Sequence, residues 1–128
     1  MIQITIEEIL AGESERLEFK EDIPARSEKY MKTVVAFANS NGGRLVFGVR
    51  DATLDIVGID RDVLFEKIDA ITNAIWGSCE PKILADVYAQ QIDGKNIIVA
   101  DIPKGMQVPY SIKGLGIWDG TFIRVFGT

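Results

Sequence analysis

Acidic side chains crowd one short stretch near the start of the chain. The carboxylates of this stretch are Glu13, Glu15, Glu18, Glu21 and Asp22, and Asp51 follows a later apolar run. Grouped carboxylates in a chain without histidine suit a hard cation such as Mg²⁺ or Mn²⁺, which prefers oxygen ligands. Such an ion can activate water for attack on a phosphodiester. The alternative is a solvated acidic edge, because acidic side chains are usually exposed.

Basic side chains form a second candidate set, for contact with phosphates. Its members are Lys20, Lys29, Lys32, Arg44, Arg50 and Arg124. Lysine and arginine on one surface can neutralise a nucleic-acid backbone, although such residues are also ordinary surface charges. Tyr110, Trp118 and Phe122 could stack on bases, and Phe122 fits a core position equally well.

Two further patterns carry less chemistry. Asn41-Gly42-Gly43 stands between a predicted helix and a predicted strand, whereas a P-loop needs the order strand, glycines, helix and a following Lys-Ser/Thr. These residues are better explained as turn formers. Cys79 is the single cysteine, so an internal disulfide is excluded. Without a histidine to activate it, Cys79 is expected to be a small buried residue.

Composition limits the possible functions. A length of 128 residues predicts one domain, spanning residues 1–128, with enough chain for a core. The absence of histidine removes histidine acid–base catalysis and serine–histidine triads. The net charge of −5 argues against strong non-specific binding of nucleic acid. With no signal peptide and no apolar run of membrane-spanning length, we predict a cytoplasmic protein without a membrane partner.

These candidate residues must be positioned by a helix and the strand that follows it. Apolar residues recur at helical spacing from Ser27 to Asn39, and the breaker sequence Asn-Ser-Asn-Gly-Gly follows. The run Arg44–Val49 is apolar enough to be a strand buried on both faces, and it ends before Asp51. Leu17 and Phe19 alternate with Glu18 and Lys20, which predicts a half-buried strand with Glu18 and Lys20 on one face.

The remaining elements complete an α+β fold with a mixed β-sheet packed with two main helices. Asp93-Gly94 between two apolar runs indicates a hairpin of residues 83–92 and 95–102. The other predictions are a short helix capped by Thr5 and Glu8, a short strand at 56–59, a helix from Asp60 to Trp76 stopped by Gly77, an extended piece at 109–112, a glycine-rich loop at 114–120 and a last strand from Thr121 to Phe126.

The order of several short motifs resembles the Schlafen-type AlbA domain, also known as a divergent AAA domain, of many bacterial regulators. The matching residues are Glu13, Leu17-Glu18-Phe19-Lys20, Ala36-Phe37-Ala38-Asn39, Gly42-Gly43, Phe47-Gly48-Val49, Asp51, Val57-Gly58, Pro109-Tyr110 and Phe122-Ile123-Arg124-Val125. The resemblance implies a DNA-binding α+β domain at the N-terminus of a longer transcriptional regulator. We therefore expect this chain to be the N-terminal part of a longer protein.

In animal Schlafen proteins the related module is a metal-dependent RNA endonuclease with a three-carboxylate site. By that resemblance, Glu13, Glu18 and Asp51 would be both the catalytic residues and the ligands of Mg²⁺ or Mn²⁺. Lys20, on the same strand face as Glu18, could then hold the scissile phosphate.

We predict a nucleic-acid-binding domain of a transcriptional regulator, non-catalytic on its own, with weak affinity for DNA or RNA. The alternatives are the metal-dependent endoribonuclease and a protein-interaction or assembly module, with homo-oligomers as a possible partner state.

Overall fold

The computed structural model describes residues 2–125, and it has the predicted α+β architecture. Helices and strands alternate in the first half of the chain, and strands dominate the second half. The helices are α1 Ile6–Leu10, α2 Glu28–Ala38, α3 Leu64–Ser78, preceded by a 3-10 turn at Arg61–Val63, and α4 Gly116–Gly120. The strands are β1 Leu17–Lys20, β2 Gly43–Phe47, β3 Cys79–Glu80, β4 Asp86–Ile92, β5 Lys95–Ile102 and β6 Ser111–Ile112.

Four of the strands form a mixed sheet in the order β1-β2-β5-β4. β1 runs parallel to β2, while β2 pairs antiparallel with β5, and β5 with β4. The prediction that Arg44–Val49 contains an interior strand is therefore confirmed. The hairpin predicted around Asp93-Gly94 is also confirmed, although β4 begins only at Asp86. β3 and β6 form a separate two-stranded ribbon.

Each face of the sheet is covered by different parts of the chain. α2 and α3 pack on one face, where Leu45, Phe47 and Ile98 belong to the larger core cluster. The N-terminal segment and α1 cover the other face, through Ile4 and Ile9. The burial of apolar side chains on both faces drives this layered packing. The Gln90 side chain fixes the N-terminal segment, because its amide bonds the backbone N–H and C=O of Ile4 at 2.9 and 2.7 Å.

The turn between α2 and β2 explains the glycines of the breaker sequence. Gly42 has a φ of +76°, which favours glycine. A Cβ at Gly42 would also stand 2.7 Å from the Ile102 carbonyl oxygen, and one at Gly43 would stand 2.7 Å from the Phe37 ring. The prediction of turn residues is confirmed, and tight packing against β5 and α2 adds a second requirement for glycine.

Three predicted elements differ in the structure. Gly77 does not stop α3, which continues to Ser78. The packing of buried Ile71 and Ile75 outweighs the low helix propensity of one glycine. In place of the strand predicted at 56–59, Ile56 forms one isolated bridge with Val49. The loop predicted at 114–120 contains α4.

The last predicted strand, Thr121 to Phe126, is also wrong over the part that the structure describes, while Phe126 lies outside the described residues. Residues 121–125 form no strand, although Arg124 is buried and Ile123 is exposed, as alternation requires. Side chains from α2 and the turn after it hold this segment instead of a strand ladder. The Asn39 amide donates to the Phe122 carbonyl at 2.9 Å, and the Ser40 hydroxyl accepts from the Arg124 N–H at 3.0 Å.

Candidate carboxylate cluster and nucleic-acid interface

Glu18 lies on β1, on the face of the sheet that α2 covers. In the parallel pair it stands opposite Leu45, which belongs to the core under α2. Its side chain is 14% exposed, and both carboxylate oxygens have partners. Oε1 accepts from Arg124 Nη1 at 2.7 Å, and Oε2 accepts from Thr33 Oγ1 at 2.7 Å. Glu18 is therefore held on two sides, by α2 and by the C-terminal segment.

Arg124 is the buried cation that completes this arrangement. Its side chain is 2% exposed, and its Nη2 donates to the carbonyl oxygens of Ser14 and Leu17 at 2.9 and 3.3 Å. The guanidinium carbon lies 5.0 Å from the centroid of the Phe37 ring. Arg124 therefore does not face phosphates at the surface, contrary to the sequence-based expectation, because Glu18 and two carbonyls occupy its guanidinium.

Glu13 lies just before β1 and bonds to the backbone of that strand. Its Oε2 accepts from the Phe19 N–H at 2.9 Å. Desolvation by burial raises the pKa of the Glu13 carboxyl, the bond from Phe19 opposes this change, and the negative charges of Asp51 and Glu18 raise the pKa further. The predicted carboxylates thus act electrostatically on Glu13. Asp51 itself is exposed in the turn after β2.

The donor atoms in this region do not fit a divalent cation. Among residues 2–125, no group of three acidic, histidine or cysteine side chains is arranged to hold a metal ion. Both oxygens of Glu18 are already used by Arg124 and Thr33, and one oxygen of Glu13 is used by the Phe19 N–H. An ion would have to displace a buried guanidinium, so no reaction step through a metal follows from this arrangement.

The basic candidates are spread over different faces of the molecule. Arg44 stands opposite Leu17, on the sheet face away from Glu18, within 3.8 Å of Glu8 and 3.9 Å of Asp101. Arg50 pairs with Glu21 at 3.0 Å, and a second carboxylate, that of Asp55, lies at 3.9 Å. Lys20 Nζ lies 3.9 Å from Glu18. Neutralised by these carboxylates, the three side chains do not form a common basic surface.

Lys29 and Lys32 differ from the other basic candidates. Both are exposed on α2, and within the described part of the chain neither takes part in a salt bridge. Lys32 Nζ stands 5.1 Å from the centroid of the Phe122 ring, in cation–π geometry. Their charges are available to a ligand at the surface.

The aromatic candidates have three different environments. Tyr110 is buried, and its hydroxyl accepts from the backbone N–H groups of Met106 and Gln107, each at 3.1 Å. Phe122 is partly buried against the larger core cluster. Trp118, on α4, is 95% exposed. Of the three aromatic side chains, only that of Trp118 is free to stack on a ligand over its whole ring.

Two residues that hold this region are not identified by the sequence pattern. Asn39 donates from Nδ2 to the carbonyls of Tyr110 and Phe122, and its Oδ1 accepts from the Tyr110 N–H at 2.6 Å. Asn39 appears in the sequence only as a helix-ending residue. Thr33, the partner of Glu18, has no distinguishing signal beyond being a polar residue beside the apolar stripe of α2.

Cys79 and the helices exclude two other kinds of site. Cys79 is buried beside the Met31 sulfur at 3.6 Å, and burial raises the pKa of its thiol to about 11. The expectation of a buried residue is confirmed, and the thiol is a poor nucleophile at neutral pH. Within residues 2–125, the helices are too short or too polar to cross a bilayer.

Comparison with known proteins gives one family and two similar structures. A family model described as Schlafen, AlbA_2 matches residues 13–127. The solution structure of the N-terminal domain of a RecG-related protein from Nitrosomonas europaea is similar, with a TM-score of 0.70 and 24% identity over 94% of this chain and 85% of that one. The DIP2311 protein from Corynebacterium diphtheriae is similar with a TM-score of 0.67 and 22% identity over 98% of this chain. This chain spans only 22% of that protein.

Proposed function

The chain belongs to the Schlafen AlbA_2 family, and from this membership we propose that it is a nucleic-acid-binding domain of a transcriptional regulator, non-catalytic on its own. The similar domain from N. europaea supports the nucleic-acid role, since its protein is named as related to the ATP-dependent DNA helicase RecG. At this level of identity the likeness itself concerns the fold. The argument for binding therefore rests on the side chains of this chain.

The observation that carries the proposal is the state of the α2 lysines. Arg44, Arg50 and Arg124 are neutralised by carboxylates within the molecule. Lys29 and Lys32 are exposed on one helix, and neither is in an ion pair among the described residues. A protein with a net charge of −5 gains little from long-range attraction to phosphates. We therefore expect weak binding through this local pair of lysines.

The test is a titration of a fluorescently labelled DNA or RNA oligonucleotide at low salt, followed by anisotropy. The variant Lys29→Glu with Lys32→Glu should bind at least about tenfold more weakly, since two phosphate contacts become repulsive. The matched control is Arg61→Glu with Lys104→Glu, which makes the same change in net charge at two exposed residues outside α2. Equal loss in both double variants would contradict the α2 interface, and a parent domain that binds no nucleic acid would refute the function.

A metal-dependent endoribonuclease at Glu13, Glu18 and Asp51 has weaker support. Its favourable observation is that the charges of Asp51 and Glu18 act on Glu13, as expected of a shared site. Against it, Arg124 and Thr33 occupy the carboxylate of Glu18. This second function would require Arg124 to leave Glu18, which would leave a buried guanidinium without its anion at high energetic cost.

A further inference from the structure

The region around α4 is unusually apolar for an exposed surface. Leu115 is 50% exposed, Ile117 63% and Trp118 95%. A large aromatic side chain in water contributes nothing to the core, and contiguous exposed apolar groups often mark binding sites. We call Leu115, Ile117 and Trp118 the α4 surface.

The α4 surface borders a cleft that could receive a planar group. The cleft has a volume of about 350 Å³ and lies between the start of α2, the end of α3 and the segment before α4. Met31, Ile112 and Leu115 give it apolar walls, while Ser27, Ser78 and Lys113 supply polar atoms. Because Leu115 belongs to both, the cleft and the α4 surface are continuous.

The charges around the cleft suit an anionic chain. Lys113 lines it, and Lys29 and Lys32 are exposed on the adjoining turns of α2. Glu28 also lines the cleft, but Arg26 neutralises it at 2.8 Å. This region is thus locally cationic in a molecule whose net charge is −5. An apolar ring next to unpaired ammonium groups is complementary to a base next to phosphates.

We propose that the α4 surface and the adjoining cleft bind single-stranded nucleic acid, with one base stacked on Trp118 and the backbone along Lys29, Lys32 and Lys113. This inference rests on the proposed function and adds the type of nucleic acid to it. The bases of a duplex are already stacked on one another, whereas an unpaired base can lie against an exposed indole. A duplex would meet the lysines alone.

The experiment follows Trp118 fluorescence while a short unlabelled oligothymidine is titrated into the protein. The chain has two tryptophans, so Trp76→Phe provides a background in which Trp118 is the sole indole. Stacking should quench the emission. Trp118→Ala should weaken binding, measured by anisotropy, by roughly tenfold or more, and Trp118→Phe should retain most of the affinity. Phe65→Ala is the matched control, since Phe65 is an aromatic residue 75% exposed at the other end of α3.

The outcomes separate this inference from the proposed function. Unchanged affinity in Trp118→Ala, or tighter binding of the duplex than of the single strand, would overturn the stacking site and leave nucleic-acid binding intact. The absence of any binding by the parent would overturn both. Self-association of the free protein in sedimentation, lost in Trp118→Ala, would instead make the α4 surface an interface between copies and overturn the inference.

Discussion

The pair formed by Glu18 and Arg124 joins two residues that are 106 positions apart in the chain. A carboxylate and a guanidinium that are both largely shielded from water attract each other strongly, but each has lost its hydration. The pair is kept favourable by its additional bonds, from Thr33 to Glu18 and from Arg124 to the carbonyls of Ser14 and Leu17. Removal of one partner therefore costs more than removal of both.

We expect Arg124→Met to lower the free energy of unfolding by about 3 kcal/mol, because it leaves Glu18 shielded without its cation. Glu18→Gln combined with Arg124→Met should lose clearly less than the sum of the two single changes, as measured by urea denaturation. Arg26→Met provides a comparison, since the Arg26–Glu28 pair is exposed and should matter little. Additive losses would show that Glu18 and Arg124 are not coupled.

The pKa of Glu13 leads to a pH-dependent prediction. Its folded-state pKa is raised, first by desolvation, so the charged form destabilises the fold. The stabilising contribution of Glu13 is complete below the pKa of the unfolded chain and is lost as the pH rises through the folded pKa. Glu13→Gln should therefore gain stability relative to the parent as the pH rises from acid to neutral, measured by thermal melting.

Glu28 gives the opposite sign and serves as the comparison for Glu13. The pKa of Glu28 is lowered, first by its own backbone N–H and then by Arg26. Its contribution is present above the unfolded pKa and disappears as the pH falls through the folded pKa. Glu28→Gln should therefore lose stability relative to the parent as the pH rises. The same sign for both variants would contradict these assignments.

The sequence predicts individual site residues only where local pattern decides their position. The alternation of β1 places Glu18 on the face away from Leu17 and Phe19, and the structure agrees. Its partner Arg124 was expected at the surface, because arginine is usually exposed and nothing local shows which carboxylate it meets. Contacts between distant segments depend on the packed fold, which sequence spacing does not reveal.

At the scale of elements, periodicity predicts α2, β1, β2 and the β4–β5 hairpin, because each buries one face or both. It predicts a strand at residues 121–126, where the alternation arises from side-chain contacts with α2 instead. It also ends the third helix at Gly77, although packing carries the helix past this residue. The errors fall where tertiary contacts override local signals.

The two kinds of glycine in these elements should respond oppositely to alanine. Gly77 lies in α3, and a Cβ there would meet no atom within 4 Å, so Gly77→Ala should stabilise the protein by about 0.5–1 kcal/mol. A Cβ at Gly43 would lie 2.7 Å from the Phe37 ring and 2.9 Å from the Arg16 carbonyl oxygen, so Gly43→Ala should destabilise by about 1–3 kcal/mol. Urea denaturation of both variants measures the difference, and equal effects would contradict the packing of β2 against α2.

The whole molecule combines a negative net charge with a small cationic region. Long-range repulsion between the protein and a polyanion opposes their approach, and the attraction is confined to Lys29, Lys32 and Lys113. Such a protein depends on short-range contacts, so the number of phosphates that it neutralises should be small.

This balance predicts the salt dependence of binding. If about three phosphates of a single strand are neutralised, the logarithm of the association constant should fall with the logarithm of the salt concentration with a slope of about −2. Lys29→Glu with Lys32→Glu should reduce the magnitude of this slope by about 1.4, whereas Trp118→Ala should lower affinity and leave the slope nearly unchanged, because stacking releases no counterions. Anisotropy titrations at several salt concentrations measure these slopes. A slope that stays at the parental value in the lysine variant would place the phosphate contacts on another surface.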